Sequence, residues 1–216
     1  GVVIPITASR DKSIQLINDV NSGNKILGVS AQKDKNVEYP LHSDIYNLGT
    51  AAKILRVLKM PDGNITVIIQ GKKRFKIKKV IEEKPYLRAE IDAVEDDNSS
   101  KKNSEFDATI DSIKDMALQI IQDNPNIPSE ASFAIKNIQS PSFLINFVSS
   151  NMSLSVSEKQ KILAVTDIYK QAILSLKYMN TEYQKLVLKN DIQSRVRNDL
   201  NQQQREYYLH QQMKTI

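Results

Sequence analysis

From Asp167 to Ile216 the chain runs roughly fifty residues without a proline or a glycine. An unbroken stretch of that length reads as a single helix, about 75 Å long at about 1.5 Å per residue. Helices inside globular domains usually stop well short of this. The residues before it read as a compact body, and the helix as a rod carrying that body toward something beyond the chain. No capping residue closes the helix before Ile216, and the chain opens on Gly1 rather than methionine. Both features predict a piece of a longer protein.

The rod has two halves. Ala172, Leu176, Met179, Tyr183 and Leu186 recur by four and three, a heptad-like seam suited to packing on the body. Continuing that register meets Asn190, Gln193 and Arg197, which are polar. A narrower stripe takes over at Leu188, Ile192, Val196 and Leu200, each four apart. It is too polar around its edges to be buried in a core and too apolar to stand alone. Such a helix bridges bodies or pairs with a like helix. Leu188, Ile192, Val196 and Leu200, followed by Tyr207, Tyr208, Leu209 and Met213, are the expected assembly residues.

The body divides by pattern, giving an α+β chain. Residues 1–95 read as β-rich. Val2–Ile6 is a strand that Pro5 places at a sheet edge or bulge. Ile14, Ile17 and Val20 mark a helix stopped at Asn21-Ser22-Gly23, and Lys25–Ala31 is a short strand. Pro61-Asp62-Gly63-Asn64 is a strong turn signal, so 50–60 and 64–70 read as a hairpin. Gly71 is expected to break the run before a further strand at Arg74–Val80, and Leu87, Ala89 and Ile91 alternate again. Residues 96–103 are wholly polar and read as a mobile linker. Residues 104–166 then read as a helical bundle. Its expected starts are Ser104 with Asp107, Ser129, Ser140-Pro141, and Ser155 with Glu158, and Thr166 or Asp167 caps the rod over 167–216.

Chemistry is sparse. With no cysteine, disulfides, thiol catalysis and thiolate metal sites are excluded. No stretch approaches the roughly twenty apolar residues of a membrane span, and no secretory leader is visible. The glycines do not form a phosphate loop: Gly71-Lys72 is followed by Lys73, not by serine or threonine. His42 and His210 stand far apart, and no catalytic, cofactor or metal residue is expected. Lys72–Lys79 is the densest basic run in a chain of net charge +5. It reads either as a nucleic-acid patch around an interleaved aromatic or, preferably, as a strand with a solvated lysine face over buried Phe75 and Ile77. In the polar loop 33–44, Tyr39 and Leu41 either anchor the loop, the preferred role on the residues alone, or contact extended peptide.

Three groups of residues carry a resemblance. Asp44-Ile-Tyr-Asn-Leu-Gly49-Thr50-Ala51, Pro61-Asp62-Gly63, and Gly71 with Arg74 and Ile77 resemble the N-terminal domain of the ATP-dependent protease Lon. Arg205-Glu206-Tyr207-Tyr208-Leu209, on through Gln212-Met213-Lys214 to Ile216, is similar to the segment before that family's ATPase module. The Pro-Leu-Arg-type strand that usually opens the family does not precede Gly1. The resemblance implies a PUA-like pseudo-barrel, a helical bundle and a long helix entering an ATPase ring. It implies a homo-oligomer, generally a hexamer, that degrades damaged or regulatory proteins in the cytoplasm. Substrate contact at Tyr39 and Leu41, rod-mediated assembly, and ATP with Mg²⁺ only in the absent ATPase module belong to the same expectation. No catalytic residue carries over, because the matching motifs lie outside these residues.

Overall fold

The hairpin turn organises the sheet. Gly63 has φ +87°, a left-handed conformation that side chains other than glycine's rarely adopt. Its N–H donates to the Met60 carbonyl at 3.1 Å, and the Met60 N–H donates to that of Asn64 at 2.9 Å. The strands it joins are β3 (Leu48–Lys59) and β4 (Ile65–Glu82), paired antiparallel from Lys59↔Ile65 to Leu48↔Lys76. This is a computed structural model of the chain, and it describes residues 1–215.

Gly71 does not end β4 as its sequence context predicts. Ala52 faces Gly71 and Ala51 faces Lys73, so Lys72 is an extra residue on β4. The glycine absorbs a bulge within an 18-residue strand. The bulge is also where β4 changes its outer neighbour. Before it, β1 (Val3–Ala8) pairs from Ala8↔Ile65 to Val3↔Gln70. After it, β5 (Arg88–Val94) pairs from Arg74↔Val94 to Glu82↔Arg88. With β2 (Ile26–Val29) on β3, the order is β1-β4-β3-β2, with β5 also on β4. Pro5 thus lies on an edge strand, where its missing N–H interrupts no central ladder.

Helix α1 (Asp11–Asn21) packs Ile14, Ile17 and Val20 against Ala8, Ala52, Ile54, Ile65, Val67 and Ile69 of the sheet. Phe75 is buried beside Gly28 and Gly49. A Cβ on Gly49 would sit 2.7 Å from the Phe75 ring and 2.5 Å from the Val29 carbonyl, so the close approach of β2 and β3 needs glycine there.

The second core is helical. It gathers α2 (Ser104–Asp123), α3 (Ala131–Asn137), α4 (Pro141–Asn151), α5 (Val156–Ala164) and α6 (Ile168–Lys214) around Phe106, Ile113, Leu144, Ile145, Ala172 and Met179. Ser140 caps α4 with Pro141 behind it, Ser155 and Glu158 form a reciprocal capping box on α5, and Asp167 caps α6. Two starts differ from expectation. Asn103 rather than Ser104 caps α2, its side chain accepting from the Glu105 N–H. Asn is as good a cap as Ser, so the pattern leaves the one-residue choice open. Helix α3 begins after Glu130 without a side-chain cap, and the Ser129 carbonyl instead accepts from Ser132.

Residues 96–103 also differ from a free linker. The Asp97 N–H donates to the Thr166 carbonyl at 2.9 Å, and the Ile168 N–H donates to that of Asp97 at 3.1 Å. Ser99–Lys102 forms a 3-10 turn. Polar composition excluded burial of apolar surface here, but backbone groups still found partners.

Candidate functional site

The loop between β2 and β3 is built around Gln32 and Asp44. Arg10 Nη1 donates to Gln32 Oε1 at 3.1 Å, and Gln32 Nε2 donates to the Val37 carbonyl at 3.0 Å. Lys33 N–H donates to the Asp44 carbonyl at 2.8 Å, and the Leu41 N–H donates to Asp44 Oδ2 at 2.8 Å. The Tyr46 N–H closes the base onto the Ala31 carbonyl at 2.9 Å. These polar groups do the anchoring that the sequence pattern assigned by preference to Tyr39 and Leu41. Those two side chains are 72% and 61% exposed. Tyr39-Pro40-Leu41 is therefore an apolar tip held into solvent by a hydrogen-bonded base, which is the usual arrangement for a binding loop.

Behind this tip lies a trough of about 1570 Å³. Ala51, Val67, Ile69, Phe75 and Ile77 line it from the sheet, together with residues of α1 and β2, the tip itself and residues between 83 and 91. Tyr86 Oη donates to Asp19 Oδ2 at 2.9 Å, tying the β4–β5 turn to α1. That bond to a carboxylate holds the phenol proton and raises the Tyr86 pKa above the usual tyrosine value. Strands β2 and β5 each have a ladder partner on one side only among the described residues. The trough thus offers two strand edges over an apolar floor, a shape for extended polypeptide.

The basic run lies along β4, with its lysines exposed and its aromatic turned inward. Phe75 is buried and cannot stack on a base. Lys73 pairs with Glu95 at 2.6 Å, Lys78 lies 3.6 Å from Glu90, and Arg74 reaches Asp96 and two helix-end carbonyls. The strand with a solvated face is the arrangement found, and nothing in this geometry favours the nucleic-acid reading. Nor do Gly71-Lys72-Lys73 fit a nucleotide phosphate: they lie in β4, and the Gly71 N–H is taken by the Val2 carbonyl at 3.1 Å. Among the described residues no group of three His, Cys, Asp or Glu is placed to hold a metal. No described helix is long and apolar enough to cross a membrane. His42 lies at the trough wall and His210 on the exposed rod.

The rod splits where the sequence pattern splits it. Ile168, Ala172, Ser175 and Met179 are buried, and Ser175 Oγ meets Ser149 Oγ at 3.2 Å. Tyr183 Oη donates to Asp123 Oδ2 at 2.8 Å, and Asn190 Nδ2 donates to the Asp123 carbonyl at 2.9 Å. Asn190, a polar residue in the register of the seam, binds the last residue of α2. Hydrogen bonds from Gln119 and Tyr183 lower the Asp123 pKa, and the same carboxylate raises that of Tyr183. Beyond Asn190 every described residue is exposed, including Ile192, Val196, Leu200, Tyr207, Tyr208, Leu209 and Met213; Leu188, one turn before, is exposed too.

A family model described as the ATP-dependent protease La (LON) substrate-binding domain matches residues 1–181. Lon protease of Flavobacterium johnsoniae is 62% identical over 216 residues, and that of Cytophaga hutchinsonii 41% identical over 216 residues. All of this chain is covered in both, against 26% and 27% of those proteins, so the chain spans about a quarter of the length of these curated relatives. Among solved structures, the N-terminal domain of the Mycobacterium avium complex Lon protease superposes with TM-score 0.67 at 18% identity, covering 83% of this chain and 90% of that one. A Lon N-terminal domain protein from Xanthomonas campestris gives 0.55 at 15%, with the same coverage. At these identities the superpositions speak for the fold.

Proposed function

The chain belongs to the Lon protease family as a Lon substrate-binding domain, and on that footing we propose that it engages unfolded or degron-bearing proteins through the Tyr39-Pro40-Leu41 tip. The outer half of α6 supports homo-oligomer assembly, and the whole serves ATP-dependent protein quality control in the cytoplasm. ATP, Mg²⁺ and the peptidase chemistry belong to parts of the protease outside these residues.

The observation that carries this reading is the tip itself: two large apolar side chains exposed on a loop whose base is pinned by polar groups. An ordered base reduces the entropy lost on contact, while a small contact keeps each site weak. Weak sites repeated around an oligomer gain strength through effective concentration. The trough is a less direct candidate, because open strand edges are normally covered in native proteins. Tyr39 and Leu41 stand at its rim and are exposed.

Titration of the chain into a labelled, permanently unfolded protein and into its folded counterpart tests the reading. Weak saturable binding to the unfolded form alone is expected. Equal binding to both forms, or none to either, would remove it.

A further inference from the structure

We infer that Arg74 is the pin that fixes the direction of α6 against the sheet, so that the substrate-facing region and the rod turn as one body. Arg74 projects from β4, just past the bulge, into the joint with the helices, and only 11% of its side chain is exposed. Nη1 donates to the Leu163 carbonyl at 2.6 Å and to the Val165 carbonyl at 2.7 Å, while Nη2 pairs with the Asp96 carboxylate.

The two carbonyls lie where α5 ends. The last carbonyls of a helix have no partner within it, and they form the negative end of its dipole. A guanidinium satisfies both conditions with one rigid fork. Helix α6 starts at Ile168, so fixing Leu163 and Val165 sets the point from which the rod departs. Asp96, on the second nitrogen of the fork, immediately precedes Asp97, whose backbone bonds to Thr166 and Ile168. Ser100 Oγ donates at 3.1 Å to Asp167 Oδ1, the same oxygen that caps α6 through the Lys170 N–H at 2.9 Å. One further tie, Gln160 Nε2 to the Leu48 carbonyl at 2.9 Å, joins α5 to β3.

The joint thus carries a set of polar ties, with the largely covered Arg74 guanidinium among them. Apolar joints of similar extent tolerate sliding, whereas hydrogen bonds from a planar fork specify angle. In the sequence Arg74 stands in a basic run and in the Gly71–Arg74 element; its two carbonyl partners lie about ninety residues away.

The test uses the full 216-residue chain, which lacks cysteine and so accepts a clean spin-label pair at Lys12→Cys on α1 and Lys177→Cys on α6, both exposed positions. The parent is expected to give one narrow distance distribution by pulsed electron spin resonance. Arg74→Met keeps the aliphatic stem and removes every donor; with unchanged circular dichroism, its distribution should broaden about twofold or split, as for domains left on a polar interface. An unchanged width in the folded variant overturns the inference and leaves the Asp97 backbone ties to set the angle. Should Arg74→Met fail to fold, Arg74→Lys decides, because it keeps the charge but replaces the fork by a point donor. Broadening in folded Arg74→Lys supports the pin, and parental width there overturns it.

Discussion

The two halves of α6 share one helix and one cap, yet they live in different solvents, and the outer half is the poorer in apolar residues. Up to Asn190 the rod is held by Ala172, Ser175, Met179, Tyr183 and Asn190 against α2 and α4. Past it, Ile192, Val196 and Leu200 face water. Helical continuity therefore says nothing about burial. The spacing of the apolar residues does: a four-and-three seam marks the packed half, and a bare four-residue stripe marks the exposed half.

The sharpest way to break that contrast is truncation of one side chain from each half. Met179→Ala, at a site 2% exposed, is expected to cost about 2–5 kcal/mol in urea unfolding of the chain. Ile192→Ala, at 51% exposure, should stay within about 0.5 kcal/mol. Comparable costs at both sites would mean that the outer half is covered within the chain itself. The complementary outcome is expected for assembly. Ile192→Gln with Val196→Gln should lower the oligomer mass of the intact protease by light scattering while leaving the chain's own unfolding midpoint in place.

A smaller effect concerns the boundary between the halves. The Asp123 carboxylate, stabilised by hydrogen bonds from Gln119 and Tyr183, has a folded pKa below the ordinary aspartate value. A lowered folded pKa adds stability above the unfolded pKa, and that stability is lost as pH falls through the folded one. Tyr183 is shifted the other way, above 10.0. Its proton favours the fold, and that contribution fades as pH rises through its folded value. Tyr183→Phe should therefore move the Asp123 titration upward in an NMR pH series and flatten the acid limb of stability below pH 3.8. An unmoved Asp123 would assign its shift to Gln119 alone.

Much of this was legible in the chain itself, and the rest was not for a common reason. Pro61-Asp62-Gly63, Pro141 behind Ser140, and Ser155 with Glu158 act within a few residues, so local chemistry names the turn, the helix start and the capping box. The 4-3 seam likewise names the buried face of α6. What local pattern missed depends on partners far away. Gly71 reads as a breaker until β1 and β5 are seen to share one strand on either side of its bulge. Residues 96–103 read as mobile until Asp97 is seen to bond with Thr166 and Ile168. Arg74 stands in a basic run and in the Gly71–Arg74 element, but neither tells that its guanidinium reaches the end of α5. Tyr39 and Leu41 read as loop anchors until Arg10, Gln32 and Asp44 are seen to perform the anchoring.

Substrate engagement at the tip is the central claim, and a double substitution tests it most directly. Tyr39→Ser with Leu41→Ser removes apolar side chains that are 72% and 61% exposed, so the fold should be unaffected. Fluorescence anisotropy with a labelled unfolded protein should then show affinity reduced about tenfold, equivalent to about 1.4 kcal/mol. Parental affinity in the folded double variant would contradict the claim and place substrate on another surface of the chain.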